Sequence, residues 1–306
     1  LHVVVVAPDA DRVAALRDRY SDLDLYGRRI AAHLGDARTF PLPPYLAELV
    51  VVEDRDLVGR LDETAIERLF HPLRPYGGTA VLAMNAQDHA SFSALVDRIG
   101  LDGAETARME PHSLLKRPGP LPDVGQWTHQ YADAANTSHS PDQRTRAPLG
   151  VLWYGGPSNE HILPRHGQGP IPHVVEGRVI LPGVDTMSAR DVYTGRELWV
   201  RDMPGIGHPF TNLELEARYQ AGEAVYMTNL PGANFIGSFY ASAPDGIYVR
   251  YQGDILRLDP ATGETLSTFP VDPDNNEGHN DYGHISLWED VLITSVEPQY
   301  FDDKPI

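Results

Sequence analysis

Apolar residues follow two different patterns along the chain, and the pattern changes near residue 120. Before that point, short apolar runs of strand length alternate with segments whose apolar positions recur at helical spacing. The run over residues 1–7 is continuously apolar, which is typical of a strand buried on both faces of a parallel sheet. Further strands are predicted at 28–36, 46–54 and 79–84. Strand–helix alternation of this kind predicts an open, mostly parallel α/β sheet of Rossmann-like type.

Three helices are predicted between these strands. The first runs from about Asp9 to Tyr20, with Asp9 or Asp11 as its N-cap, and Asp62 caps the second. The apolar face of the second helix comprises Ala65, Ile66, Leu69 and Phe70. The last helix places Phe92, Leu95, Val96 and Ile99 at the spacing of one helical face.

The helical period disappears from about Trp127 onward. Short β-like runs are separated there by Gly, Pro, Asp and Asn, a pattern that predicts an antiparallel all-β domain. The segment Leu115–Gly125 is rich in Pro and Gly and lacks an apolar period, as expected of a linker. We therefore predict an α/β domain over residues 1–117, a linker over 118–126 and an all-β domain over 127–306.

The second half contains a weak internal repeat. Gly177–Trp199 aligns with Gly246–Ser267 after one gap, and Gly283–Ser295 resembles the opening of a further unit. Both full copies contain Asp-x-x-Thr-Gly, ending at Gly195 and Gly263. This spacing predicts a tight hairpin in which the Asp carboxylate accepts backbone N–H groups and the Gly takes a positive φ. Repeated β-units of this length suggest the blades of a β-propeller.

Composition excludes several classes of function. The net charge is −18 with a pI near 5.0, so a basic surface for nucleic acid is not expected. The chain contains no cysteine, which excludes a disulfide framework, a thiolate zinc site and a cysteine nucleophile. No apolar run reaches the roughly 18 residues that a membrane-spanning helix requires.

Histidines and acidic runs are candidate metal ligands in the second half of the chain. His161, His166 and His173 are close in sequence, but their spacings fit neither one helix face nor one strand pair. His279 and His284 bracket a loop-like segment, so hydrogen bonding in loops is the expectation for all five. The acidic run 272–281 departs from the order of a calcium-binding loop and is expected to be a solvated connection. No metal site is therefore predicted, and no catalytic residue is assigned.

The turn motif of the second half resembles that of quinoprotein-like β-propellers. The first copy matches the family's Ala-x-Asp-x-x-x-Gly-x-x-x-Trp pattern through Ala189, Asp191, Gly195 and Trp199. The second copy keeps Asp259 and Gly263, whereas Arg257 and Ser267 replace the Ala and the Trp. The segment Trp127–Pro141 is also similar to the segment that opens such propellers.

This resemblance implies that residues 127–306 form an incomplete ring of blades whose tryptophans pack between neighbours. It implies pyrroloquinoline quinone with calcium as a candidate cofactor. The adjacent cysteine pair of the quinoprotein alcohol dehydrogenases is absent, and no calcium-ligand set can be identified. Propellers with this motif are commonly periplasmic or extracytoplasmic, so the resemblance implies such a location.

The first half resembles a class I S-adenosylmethionine-dependent methyltransferase from its second strand to its fifth. Residues 3–19 are similar to the second strand and its helix, 29–54 to the third and fourth strands, and 73–82 to the fifth. The family's first strand and its glycine-rich loop would precede Leu1. The resemblance therefore implies a partial domain that lacks its first strand.

The methyltransferase resemblance also implies cofactor-binding residues. In that family the cofactor lies over the carboxyl ends of the strands. Asp36 matches the acid that contacts the adenine amine, while the ribose position falls on Ala7, with Asp9 two residues later as a substitute. Glu53 or Asp54 ends the fourth strand, where the family often places substrate-facing groups.

Three functions follow as hypotheses. The chain opens at Leu1 inside an apolar run, without a start Met or a signal peptide, so we expect part of a longer multidomain protein. We favour a propeller scaffold or interaction module that binds a protein or small-molecule partner. The alternatives are an S-adenosylmethionine-dependent methyltransferase and a quinone-dependent oxidoreductase.

Overall fold

A computed structural model describes most of the chain, and it divides into two compact units. The described residues are 2–154, 161–162, 171–206, 221–222, 239–271 and 282–296. One unit comprises residues 1–122 and the other residues 123–306, and the predicted linker spans this division. His166, His279 and the acidic run 272–281 lie outside the described residues.

The first unit alternates strands and helices before closing on a hairpin. Its elements are β1 (Val3–Ala7), α1 (Ala10–Asp22), β2 (Ile30–Leu34), β3 (Leu49–Val52), α2 (Arg55–Val58), α3 (Glu63–Phe70), β4 (Gly78–Ala83), α4 (Ala86–Ile99), β5 (Glu105–Met109) and β6 (His112–Arg117).

These strands form two sheets, where the sequence pattern predicts one. β1 pairs in parallel with β2 only, and a second sheet has the order β3-β4-β6-β5 among the described residues. β3 and β4 are parallel, whereas β6 runs antiparallel to both β4 and β5. The β5–β6 hairpin was not predicted, because an edge strand such as β5 carries Glu105 and Arg108 and has no apolar run.

Side-chain caps fix where the helices of the first unit begin. Asp9, rather than Asp11, caps α1 by accepting the backbone N–H groups of Asp11 and Arg12 at 2.9 and 3.0 Å. Asp62 caps α3 as predicted, accepting the Ala65 N–H at 2.8 Å. The four apolar residues predicted for the inner face of α3 are all buried.

Two separate apolar cores support the two sheets. Ala7, Val13 and Ala32 are buried together where α1 covers β1 and β2. A larger cluster packs α3 and α4 against the other sheet, and it includes Val52 of β3 and Leu82 of β4. No residue belongs to both clusters, so each sheet of the first unit has its own core.

The second unit is built from antiparallel sheets, as the sequence pattern predicts. Its described strands are β7 (His173–Val175), β8 (Arg178–Pro182), β9 (Thr186–Asp191), β10 (Glu197–Asp202), β11 (Tyr240–Ala243), β12 (Gly246–Tyr251), β13 (Asp254–Leu258), β14 (Thr265–Phe269), β15 (Tyr282–Trp288) and β16 (Val291–Val296). They form the sheets β7–β10, β11–β14 and β15–β16, each with sequential neighbours hydrogen-bonded.

The two Asp-x-x-Thr-Gly turns connect the last two strands of the first two sheets. Asp191 Oδ1 accepts the backbone N–H groups of Tyr193 and Thr194 at 2.8 and 3.0 Å. In the second copy, Asp259 Oδ1 accepts the Ala261 N–H at 2.6 Å. Gly195 and Gly263 have φ values of +69° and +75°, a conformation in which a residue with a Cβ is strained.

Candidate functional sites

A tryptophan seated on a glycine joins the first two sheets of the second unit. Trp199 of β10 lies against Gly263 in the turn between β13 and β14, and its indole N–H donates to the Pro260 carbonyl at 3.0 Å. A Cβ at residue 263 would lie only 2.7 Å from the indole ring. Glycine is therefore required here for two reasons, the positive φ and the close approach of the ring.

Trp153 makes the same contact one repeat earlier, a contact that the sequence pattern did not predict. Its indole N–H donates to the Val192 carbonyl at 2.9 Å, and a Cβ on Gly195 would overlap its ring. No turn motif precedes Trp153, so the only signal was the tryptophan itself. At the corresponding position of β14 the residue is Ser267, so the second sheet has no tryptophan there to make this contact.

Three consecutive residues connect the three sheets of the second unit, and we call residues 127–129 the hub segment. Trp127 exchanges two backbone hydrogen bonds with Val174 of β7, at 2.7 and 3.0 Å. The Thr128 carbonyl accepts the Ser242 N–H of β11 at 2.9 Å. His129 Nε2 accepts the Leu287 N–H of β15 at 2.9 Å. The first strands of all three sheets are thus tied to one short segment.

His129 is a neutral hydrogen-bonding group in this arrangement. Because Nε2 accepts from a backbone N–H, the ring proton is on Nδ1, which donates to Thr128 Oγ1 at 2.8 Å. Burial lowers the pKa of His129, and nearby His284 lowers it further, while the carboxylate of Asp133 acts in the opposite direction. Both ring nitrogens are occupied by protein groups.

His173 of β7 is also buried and hydrogen-bonded within the protein. Its Nδ1 lies 3.1 Å from Ser242 Oγ, and its ring stacks on Tyr240 with a centroid separation of 3.8 Å. Burial lowers the pKa of His173 well below its ordinary value and raises that of the Tyr240 phenol. The Tyr240 hydroxyl donates to the Ile171 carbonyl at 2.6 Å. We call His129, His173, Tyr240 and Ser242 the inner-strand cluster.

The other described histidines do not assemble into a metal site. His161 lies 2.9 Å from Glu197, as a pair between a loop and β10. Within the part of the chain that the structure describes, no group of three or more His, Asp or Glu side chains could hold a metal ion. In the same residues, no helix is long and apolar enough to cross a membrane.

The three acids proposed for the methyltransferase cofactor follow β1, β2 and β3 of the first unit. Asp9 and Asp36 each come two residues after the last paired residues of β1 and β2, Ala7 and Leu34. The parallel pairing therefore brings Asp9 and Asp36 to the same edge. Glu53 directly follows β3, and its carboxylate lies 3.8 Å from the guanidinium of Arg12 in the first turn of α1.

These acids already have partners within the protein. Asp9 uses Oδ1 to cap α1. Asp36 holds the guanidinium of Arg38 with contacts of 2.6 to 3.2 Å, and these hydrogen bonds lower the pKa of its carboxyl to about 2. The Asp36 side chain is nevertheless 40% exposed, and its carboxyl group is ionised at neutral pH. The Asp36 carboxylate can thus accept a hydrogen bond from a ligand at this edge. Asp9 has only its second carboxylate oxygen available, because Oδ1 caps α1.

The chain matches no protein-family model, and no curated protein matches it. Solved structures similar to parts of it include a putative S-adenosylmethionine-dependent methyltransferase from Methanococcus maripaludis (14% identity, 37% of this chain, 64% of that chain, TM-score 0.31). They also include a quinohemoprotein alcohol dehydrogenase from Pseudomonas putida (19% identity, 56% of this chain, 23% of that chain, TM-score 0.33).

A third similar structure is BamB from Moraxella catarrhalis (14% identity, 40% of this chain, 33% of that chain, TM-score 0.25). In each case this chain spans less than two thirds of the other protein. The proteins with similar structures are therefore methyltransferases for one part of the chain, and quinohemoprotein dehydrogenases and BamB for another, all with partial coverage and low TM-scores.

Proposed function

We propose that this protein is an interaction scaffold in which quinoprotein-like propeller blades follow a methyltransferase-like α/β unit. The observation that carries the proposal is the inner-strand cluster together with the hub segment. Their polar groups bond to one another and to the backbone of three sheets. Such groups stabilise an assembly of sheets, whereas a catalytic base must reach a substrate. The quinoprotein motif further supports an extracytoplasmic location.

The third sheet offers a surface for a protein partner. Ile285, Leu287 and Leu292 of the β15–β16 hairpin pack on the second sheet. The opposite face carries Trp288, Val291 and Ile293, which are 50 to 59% exposed, and we call these three residues the hairpin surface. A solvated sheet face normally carries polar residues, so an apolar face of this kind favours a binding role.

Reconstitution with pyrroloquinoline quinone and calcium tests the scaffold against the oxidoreductase. We expect no bound-quinone absorbance after gel filtration. Both ring nitrogens of His129 are already hydrogen-bonded within the protein, and His173 is shielded from solvent, so neither histidine can bind the cofactor. A quinoprotein dehydrogenase treated in the same way is the positive control. Binding of one quinone per chain in the wild type, with loss of that binding in His173→Gln, would contradict the scaffold proposal.

The partner itself is tested by site-specific photo-crosslinking in cells that produce the protein. A crosslinker at residue 288 is expected to give one discrete adduct that Val291→Asp abolishes. The same crosslinker at Arg144, an exposed residue of the same unit, is the matched control. Equal adducts at both positions, or an adduct that survives Val291→Asp, would exclude the hairpin surface as the binding site.

Methyl transfer from S-adenosylmethionine is the second candidate, and the edge formed by Asp9, Asp36 and Glu53 favours it. Asp36 would accept a hydrogen bond from the adenine amine, and Glu53 would line the substrate side. The bound cofactor would supply the electrophilic methyl group, and positioning would supply most of the rate.

Calorimetry with S-adenosylmethionine tests this candidate. We expect saturable heat, with affinity weakened about tenfold or more by Asp36→Ala through loss of a charge-assisted hydrogen bond. Asp24→Ala is the matched control, because Asp24 forms an exposed aspartate–arginine pair with the same 2.6 Å separation as that of Asp36. The absence of heat, or equal weakening by both variants, would rule out this site.

A further inference from the structure

Within the described residues, a single hydrogen bond joins the third sheet to the rest of the second unit. It runs from the Leu287 N–H of β15 to His129 Nε2 of the hub segment, at 2.9 Å. The first and second sheets are tied to the same segment through backbone groups instead, at Val174 and Ser242. The third sheet therefore differs from the other two, because its bond to the hub depends on a side-chain acceptor that can be protonated.

Backbone and imidazole acceptors respond differently to acid. A carbonyl oxygen keeps its lone pairs in mild acid, whereas a neutral imidazole loses its only acceptor nitrogen when it takes up a proton. Nδ1 of His129 already carries the ring proton and donates to Thr128 Oγ1, so the added proton must bind Nε2. The protonated ring would then point an N–H group at the Leu287 N–H, and the hydrogen bond would be replaced by a repulsive contact.

The third sheet also packs on the second sheet through a small apolar cluster. Its members in the third sheet are Ile285, Leu287 and Leu292. Of the described residues, four are buried in this cluster, whereas twelve are buried in the core shared by the first two sheets. Local opening costs least where few buried apolar residues hold an element in place. Loss of the hub bond is therefore expected to release the third sheet before the other two.

Titratable groups around His129 come from β7, β15 and the loop that follows the hub segment. Burial lowers the pKa of His129, His284 of β15 lowers it further, and the Asp133 carboxylate raises it. Burial lowers the pKa of His173 much more, so His173 stays neutral when His129 first takes up a proton. The Tyr240 phenol stacked on His173 is neutral as well, because burial raises its pKa. Opening would give His129 water and separate it from His284, so the open form binds the proton more strongly.

We propose that His129 is a proton-operated latch, whose protonation in mildly acidic solution releases the third sheet from the hub segment while the first two sheets stay packed. The latch is closed above about pH 6.5, where the imidazole is neutral, and opens as the pH falls further. The first two sheets keep their backbone bonds to Trp127 and Thr128. The inference concerns the local order of β15 and β16, so it does not depend on whether the hairpin surface binds a partner.

Hydrogen–deuterium exchange of the full chain, followed by mass spectrometry at about pH 7.5 and about pH 5, tests the latch. Protection factors, corrected for the intrinsic exchange rates, are expected to fall about tenfold in peptides from 282–296, because opening is coupled to uptake of one proton. Peptides from β11–β14 are the internal control and should keep their protection. Equal loss in both sheets would mean global unfolding and would overturn the proposal, as would unchanged protection in 282–296.

The variant His129→Gln separates the latch from general effects of acid. A glutamine amide can accept the Leu287 N–H through its oxygen but does not titrate, so protection of 282–296 should be the same at both pH values. His139→Gln, at an exposed histidine of the same unit, is the matched control and should leave the acid-dependent loss unchanged. A loss that survives in His129→Gln would assign the effect to another group and overturn the proposal.

Nitrogen-15 NMR of the histidine-labelled wild type provides a test that does not depend on a variant folding. We expect His129 to have an unprotonated Nε2 at neutral pH and to take up a proton there over the same pH range in which 282–296 loses protection. A proton on Nε2 of His129 at neutral pH would contradict the hydrogen bond from Leu287. Protonation of His129 that leaves the protection of 282–296 unchanged would contradict the latch.

Discussion

Replacing Trp199 with alanine is expected to destabilise the protein by about 3 to 5 kcal/mol. The indole is more than nine-tenths buried, belongs to the core shared by the first two sheets of the second unit, and donates a hydrogen bond to the Pro260 carbonyl. The substitution leaves a cavity between the sheets and an unpaired carbonyl. Guanidinium unfolding of the full chain, followed by circular dichroism, measures the effect.

The glycine beneath the ring provides the control for that result. Gly263→Ala is expected to cost about 2 to 4 kcal/mol, because strain at the positive φ adds to overlap with the indole. Gly205 has a similar φ of +89°, but a Cβ at this residue would have no other atom within 4 Å. Gly205→Ala should therefore cost only the backbone strain, about 1 kcal/mol. In a Trp199→Ala background, the cost of Gly263→Ala should fall to the backbone strain alone, because the indole ring is no longer there to overlap. Additive effects would contradict the ring-on-glycine contact.

Trp199 can also be compared with an exposed tryptophan. Trp288→Ala removes a side chain of the hairpin surface that is 59% exposed, so its cost is expected to stay below about 1 kcal/mol. Trp199→Phe keeps most of the packing but loses the N–H donor, and we expect an intermediate cost. Equal destabilisation by Trp199→Ala and Trp288→Ala would show that the burial of Trp199 is not the cause of the stability loss.

Stability of the chain is expected to fall as the pH is lowered below about 6.5, owing to the two buried histidines. The folded-state pKa values of His129 and His173 lie below the unfolded value of 6.5, so the unfolded chain binds more protons in that window. Stability is therefore complete above pH 6.5 and is lost as the pH falls towards the folded values. Two protons set a limit of about 2.7 kcal/mol per pH unit.

Denaturant unfolding between about pH 5 and pH 8 measures this slope. His129→Gln removes one of the two titrating groups and should reduce the slope, whereas His139→Gln, at an exposed residue, should not. The carboxyl groups with lowered pKa values, such as Asp36 and Asp133, lose their stabilising effect only below about pH 4 to 5. A flat profile between pH 7 and pH 5 would contradict neutral buried histidines in the folded protein.

Local features of this protein were predictable from sequence because neighbouring residues determine them. Asp62 caps α3 because its carboxylate reaches the N–H three residues later, and the spacing of Ile66 and Leu69 sets the buried face. The Asp-x-x-Thr-Gly turns follow from the same short-range chemistry, since Asp191 bonds to residues two and three positions away. Apolar runs likewise revealed β1 to β4, whereas β5 carried too little apolar signal to be found.

The sequence by itself determined the α/β character of the first unit, the antiparallel character of the second and the turn that each repeat shares. Only the tertiary structure decided that β1–β2 and β3–β4 belong to separate sheets among the described residues, that Trp153 lies on Gly195, and that the hub segment joins three sheets. The physical reason is sequence separation. His129 and Leu287 are 158 residues apart, and their contact depends on how whole sheets pack, which no local pattern encodes.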